Sequence, residues 1–168
     1  MRRTWLTVCL LALIATGTQA QDFASRYMAE HEGDSLLHCI SVSPKMMEEI
    51  LDHGIGENDT TGMADIISRL KSMQIVNAGR QGKTYFKHAE EMARKNSARF
   101  KELASYDEGK DHCRIFVREH KTEIVELVLL RQVGKQFTVI NFTGDMNHAF
   151  IRQLTHTMVP AAATSRKE

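Results

Sequence analysis

Eight histidines are the side chains of this 168-residue sequence best suited to chemistry, and their spacing argues against most of what imidazoles do. No His-x-x-x-His pair stands near an acid and no Cys-x-x-Cys accompanies them, so the patterns that gather ligands around zinc are missing. His148 and His156 fall two turns apart on one predicted helix, too far to share an ion without outside ligands. Asp52, His53, Glu57 and Asp59 offer oxygen and nitrogen ligands, but without the spacing of a calcium loop. Neither a metal nor a cofactor is expected. Ser43 stands between a strand and a helix as a nucleophile elbow would, yet Pro44 follows and the flanking glycines are absent, which makes it a helix cap. Gly54, Gly56 and Gly62 do not space as a phosphate loop. The surviving chemical reading is a small-ligand binder or hydrolase with a pocket between a long helix and a sheet, for which Tyr85, His88 and His112 are the first candidates.

The leader sets the compartment in which any such chemistry would run. Met1, Arg2 and Arg3 form a short basic start, residues 5–15 are apolar, and Thr18-Gln19-Ala20 supplies small residues where a signal peptidase cuts. The expectation is a signal peptide over residues 1–20, cleaved after Ala20, and a periplasmic or secreted protein with no membrane insertion once it is removed; the apolar run falls short of the roughly 20 residues a span needs. With Arg2 and Arg3 gone, 20 basic residues face 21 acidic ones, interleaved throughout, which argues against a nucleic-acid partner. Cys9 leaves with the leader. Cys39 and Cys113 remain where oxidation is favoured, and a bridge between them would add roughly 4 kcal/mol in the chain-entropy model. Strand parity opposes the bridge, because Cys39 alternates with Ile40 while Cys113 shares a face with Ile115 and Val117, so two unpaired thiols are expected. Asp34-Ser35-Leu36 and Asp59-Thr60-Thr61 resemble the Asp-Ser/Thr-apolar acceptor triplet of O-glycosylation in some Gram-negative bacteria, which makes Ser35 and Thr60 candidate attachment sites.

The elements follow from periodicity. Residues 21–34 read as a frayed helical turn ending at Gly33, and residues 36–42 as a strand. Ser43 and Pro44 then open a short helix with Met47, Ile50 and Leu51 on its apolar stripe, stopped at Gly54. After a polar loop, Met63, Ile66, Ile67 and Leu70 repeat at helical spacing. Residues 72–77 read as a strand, and Thr84 opens the longest helix, its stripe running Tyr85, Ala89, Met92, Ala93, Phe100, Leu103. Residues 112–119, 123–133 and 136–143 form an antiparallel meander. Gly144 ends it, Asp145 caps a last helix carrying Met146, Phe150, Leu154 and Met158, and Pro160 stops that helix. The fold class expected is α+β, a mainly antiparallel sheet of about five strands with helices packed on it, in one domain over residues 21–160 with a disordered tail at 161–168.

The middle strand of the meander is apolar on both sides, with Val125, Leu127 and Leu129 alternating against Ile124, Val128 and Leu130. Either helices cover both faces, or Ile124, Val128, Leu130, Ile140 and Phe142 belong to a contact surface for an envelope protein or a second copy.

The run LHCISVSPKMM over residues 37–47, DIISRLKSMQIV over 65–76 and the junction Phe142-Thr143-Gly144-Asp145 together resemble a bacterial exported family, the domain of unknown function 4252. The resemblance spans about residues 30–158. It implies a small envelope protein with a signal and one domain, and it carries no catalytic residue, because no activity is assigned to the family. Resemblance, leader and the lack of a catalytic motif converge on a non-enzymatic accessory or interaction module of the cell envelope, in signalling or stress response.

Overall fold

A computed structural model describes residues 21–47, 49, 69–149, 151 and 152. The expected leader, the loop holding Asp52 to Asp59, Thr60, the helix of Met63 to Ile67 and the tail lie outside the described residues.

The described elements are α1 (Phe23–Glu30), β1 (His38–Val42), β2 (Leu70–Ala78), α2 (Gly82–Lys95), β3 (Lys101–Glu108), β4 (Asp111–His120), β5 (Glu123–Val133) and β6 (Gln136–Met146). They build one six-stranded sheet in the order β1-β2-β6-β5-β4-β3, antiparallel at every neighbouring pair. The expected antiparallel sheet with helices on it is present, with six strands in place of about five. Three two-residue turns close the meander, and their first residues, Gly109, Lys121 and Gly134, have φ of 61°, 58° and 58°. That left-handed start matches the twist of a hairpin, and glycine supplies it without strain at two of the three positions.

Three local expectations are corrected. The long helix stops at Lys95, with Asn96 as its C-cap, so Leu103 is a residue of β3 and is 42 % exposed. Leu70 opens β2 and does not continue a helical stripe. Gly144 does not end β6, which runs to Met146. With φ +143°, Gly144 lets the strand pass against the Arg69–Leu70 backbone, where a Cβ would lie 2.5 Å from the Arg69 carbonyl oxygen. Asp145 is accordingly a strand residue, and its N–H donates to that same carbonyl at 3.1 Å. The helical turn after β6 starts beyond Asn147, whose carbonyl accepts from Ile151. At the other junction the reading holds: Ser43 Oγ accepts from the Met46 N–H at 3.3 Å, and Pro44 begins helical backbone.

Both faces of the sheet are buried. On one, α1 and α2 lay Phe23, Tyr27, Tyr85 and Met92 over Val76, Phe116, Val128, Leu130 and Phe137. On the other, Ile115, Leu127, Leu129 and Phe142 are buried together with Met47 and Ile151. Against β4, where Arg118 pairs with Glu126 and Glu119 with Ile124, β5 carries one extra residue, and this bulge puts Ile124 on the second face while Glu126 faces α1.

Candidate functional site: an open sheet edge and a histidine groove

Of the two alternatives for the hairpin, coverage of both faces is the one found. Val128 and Leu130 are fully buried under the helices, Ile124 and Phe142 are buried on the opposite face, and Ile140 packs partly buried beside them. They are not one patch, and the two-faced apolar pattern comes from a strand covered on both sides.

Among the described residues the sheet's two edge strands, β1 and β3, differ in chemistry. β3, KELASYDE, carries Lys101, Glu102, Asp107 and Glu108 and is bulged between Glu102 and Ala104. Charges and bulges are the usual guards against further pairing. β1, HCISV, has no Lys, Arg, Asp or Glu, no proline, and a regular five-residue register with β2. Four of its five residues are exposed, Ile40 at 55 %. Cys39 lies on this strand and Cys113 in the interior, and both are free thiols, so the disulfide alternative is not formed. Partial desolvation and the Asp22 carboxylate push the Cys39 thiol up, and burial does the same for Cys113. Ser35 sits in an exposed turn just before β1.

A groove of about 410 Å³ lies between α1 and α2, lined by Arg26, Glu30, His88, Met92, Lys95 and Asn96. Asp22 caps α1, accepting from the Ser25 N–H at 2.8 Å. The first turn is tied to the sheet by two buried acceptors: the Phe23 N–H donates to Glu126 Oε1 at 2.6 Å and the Ala24 N–H to Asn141 Oδ1 at 2.9 Å. Glu126, fully buried, is balanced by Arg118 Nε at 2.8 Å and Arg99 Nη2 at 3.4 Å.

The far end of α1 carries His31 as its C-cap. His31 Nδ1 is 2.8 Å from the Tyr27 carbonyl and His31 Nε2 is 3.2 Å from His88 Nδ1. His88 Nε2 is 3.3 Å from the Glu30 carboxylate. Tyr85 lies below, donating its hydroxyl to Asp34 Oδ2 at 2.6 Å while its carbonyl accepts from the Tyr27 hydroxyl at 3.1 Å. The Tyr85 hydroxyl holds the Asp34 carboxyl below its ordinary range; burial, then the hydrogen bond to Asp34, pushes the Tyr85 phenol up to about 12. Burial also raises Tyr27.

Tyr85 and His88 are thus brought together with His31, which the spacing of the histidines gave no reason to single out. His112 is elsewhere, 2.5 Å from Asp107 in a surface network that Arg114 extends to Glu90. Burial pushes the Asp107 carboxyl up, but the hydrogen bonds from Arg114 and His112 outweigh it and hold it low. Glu126 and Asn141 were also missed, although a glutamate inside an apolar strand is a signal that sequence alone supplies. Gly82-Lys83-Thr84 at the start of α2 is no phosphate cradle, since the Gly82 N–H is taken by the Lys135 carbonyl at 2.9 Å.

A family model described as a domain of unknown function, DUF4252, matches residues 32–154, leaving α1 just before the matched segment. No curated protein and no solved structure matches the chain.

Proposed function

Starting from a chain that belongs to the DUF4252 family, we propose that this protein is a non-enzymatic interaction module of the cell envelope that binds an extended segment of a partner protein by adding it as a strand along β1. The carrying observation is the contrast between the sheet's two edges: β3 is charged and bulged, whereas β1 is regular, uncharged and exposed. An added strand gains main-chain hydrogen bonds along β1, and Ile40 offers an apolar side chain to the incoming segment. The leader read in residues 1–20 supports an envelope setting, where an edge of this kind meets partners after export.

The test uses Cys39, which already lies on the strand. A photoactivatable cross-linker attached there, in tag-free protein returned to the envelope of its own host, is expected to capture one partner at a defined peptide. The Ile40→Lys variant is expected to lose that product while melting as the parent does, because Ile40 is more than half exposed. Capture of a second copy of this chain would replace the partner with self-association. Unchanged cross-linking in Ile40→Lys would exclude β1 as the binding edge.

A further inference from the structure

We propose that the groove between α1 and α2 binds a small zwitterion, an α-amino acid with an apolar side chain, at a site separate from the β1 edge. Its volume of about 410 Å³ falls in the range of small-molecule sites. Across it Arg26 meets Asn96 and Glu30 meets His88, so the two helices run antiparallel and the groove has two chemically distinct ends.

The Glu30 end lacks a proton donor. His31 Nδ1 faces the Tyr27 carbonyl at 2.8 Å, which can only accept, so this nitrogen carries the hydrogen and Nε2 of the neutral ring accepts. His88 Nδ1 therefore donates across the 3.2 Å contact between the two rings. In neutral His88 the lone pair then lies on Nε2, which stands 3.3 Å from the Glu30 carboxylate. Two acceptors turned to one another call for a donor between them. An ammonium group, with three N–H bonds and a positive charge, serves both.

The other end has the opposite deficit, donors without an anion. The Arg26 guanidinium brings Nη2 and Nη1 to 3.0 and 3.1 Å from the Asn96 amide oxygen, which occupies two of its five N–H groups. Among the described residues neither Arg26 nor Lys95, which line this end, is paired with a carboxylate. The carbonyl end of α2 lies here as well and disfavours an anion, and Lys95 in its last turn offsets that field. A carboxylate placed between the two cations completes the set, with Arg26 able to hold it through two parallel N–H groups.

Arg26 and Glu30 are four residues apart on α1, or about 6 Å along the helix. The ammonium and carboxylate of an α-amino acid, one carbon apart, reach both ends through charge-assisted hydrogen bonds of about 2.8 Å. Met92, buried between these ends, lines the middle of the groove and offers an apolar ligand side chain its contact. Both ends are open to solvent, since His88 is 40 % and Glu30 50 % exposed, so a ligand enters without opening the fold.

The experiment is nuclear magnetic resonance titration of the tag-free protein with L-leucine, L-methionine and L-phenylalanine at millimolar concentration. N-acetyl-L-leucine, which lacks the ammonium, and L-leucinamide, which lacks the carboxylate, are the controls. At least one of the three amino acids is expected to shift the signals of Arg26, His88, Met92 and Lys95 together, and leucine to bind at least tenfold more tightly than either control. Arg26→Gln is expected to weaken leucine at least tenfold, and Glu30→Gln to bring leucine and N-acetyl-L-leucine to the same affinity, each variant keeping the parent's cooperative melt. No shift with any of the three, or shifts confined to residues outside the groove, would overturn the site. N-acetyl-L-leucine binding the parent as tightly as leucine would reduce the groove to a plain anion site and overturn the zwitterion. If either variant misfolds, the comparison of leucine with its two controls on the unmutated protein decides the matter alone.

Discussion

The Glu126 carboxylate accepts from the Phe23 N–H, the Asn141 amide, Arg99 and Arg118 in a position sealed from solvent. A buried charge is tolerable only with such company, because removing a carboxylate from water costs several kcal/mol before its partners offset it. Glu126→Ala leaves two arginines and a helix N–H without their acceptor, and a loss of about 3–5 kcal/mol in denaturant unfolding is expected. Glu126→Gln keeps an acceptor for the Phe23 N–H and is expected to lose about 1–3 kcal/mol. Gly144 is constrained by geometry and not by charge: any Cβ meets the Arg69 carbonyl at 2.5 Å, and φ is +143°. Gly144→Ala is expected to destabilise by about 1–3 kcal/mol, measured the same way. Neither residue's role was legible one position at a time. Gly144 read as a terminator because its neighbour across the sheet, Arg69, is 75 residues away in sequence, beyond any local pattern.

At the level of elements, the strands with alternating or continuous apolar residues were legible, and β4, β5 and β6 fall within a few residues of their expected bounds. β3 was not, because its residues are those of an exposed edge. Charge and alanine give it little strand propensity, and Phe100 and Leu103 continue the helical spacing of α2 by coincidence. It is a strand because β4 offers it a ladder. α1 was undervalued for the opposite reason. Only eight residues long, it is marginal alone, and its helicity comes from docking Phe23, Ala24 and Tyr27 into the core and from the acceptors at its first turn. Phe23→Ala is therefore expected to cost about 3–5 kcal/mol, as a core truncation does, and not the few tenths a frayed turn would show. A chemical melt decides between these outcomes.

For the molecule as a whole, titration should reveal how the pieces are balanced. Asp34 and Asp107 are held below the ordinary carboxylate range, so their contribution is present above about pH 4 and is lost as pH falls through their lower folded values. Tyr27 and Tyr85 are shifted the other way; their contribution is complete below about pH 10 and disappears as pH rises toward the folded values. The expected profile has a broad plateau, an acid limb that Asp107→Asn flattens, and an alkaline limb on which phenolate absorbance from these two tyrosines rises together with loss of circular dichroism. The strand order adds a kinetic consequence. β3 to β6 form a ladder of adjacent hairpins that can zip from local contacts, whereas β2 must wait for β6, whose residues follow it by some sixty positions. While the chain is being made, β1 and β2 emerge first as a lone antiparallel pair without the neighbour that completes the sheet, and two strands alone are marginal in water. Refolding should accordingly show the meander protected from hydrogen exchange before β1 and β2, and a chain halted before residue 136 should have no stable sheet on which to seat its first half.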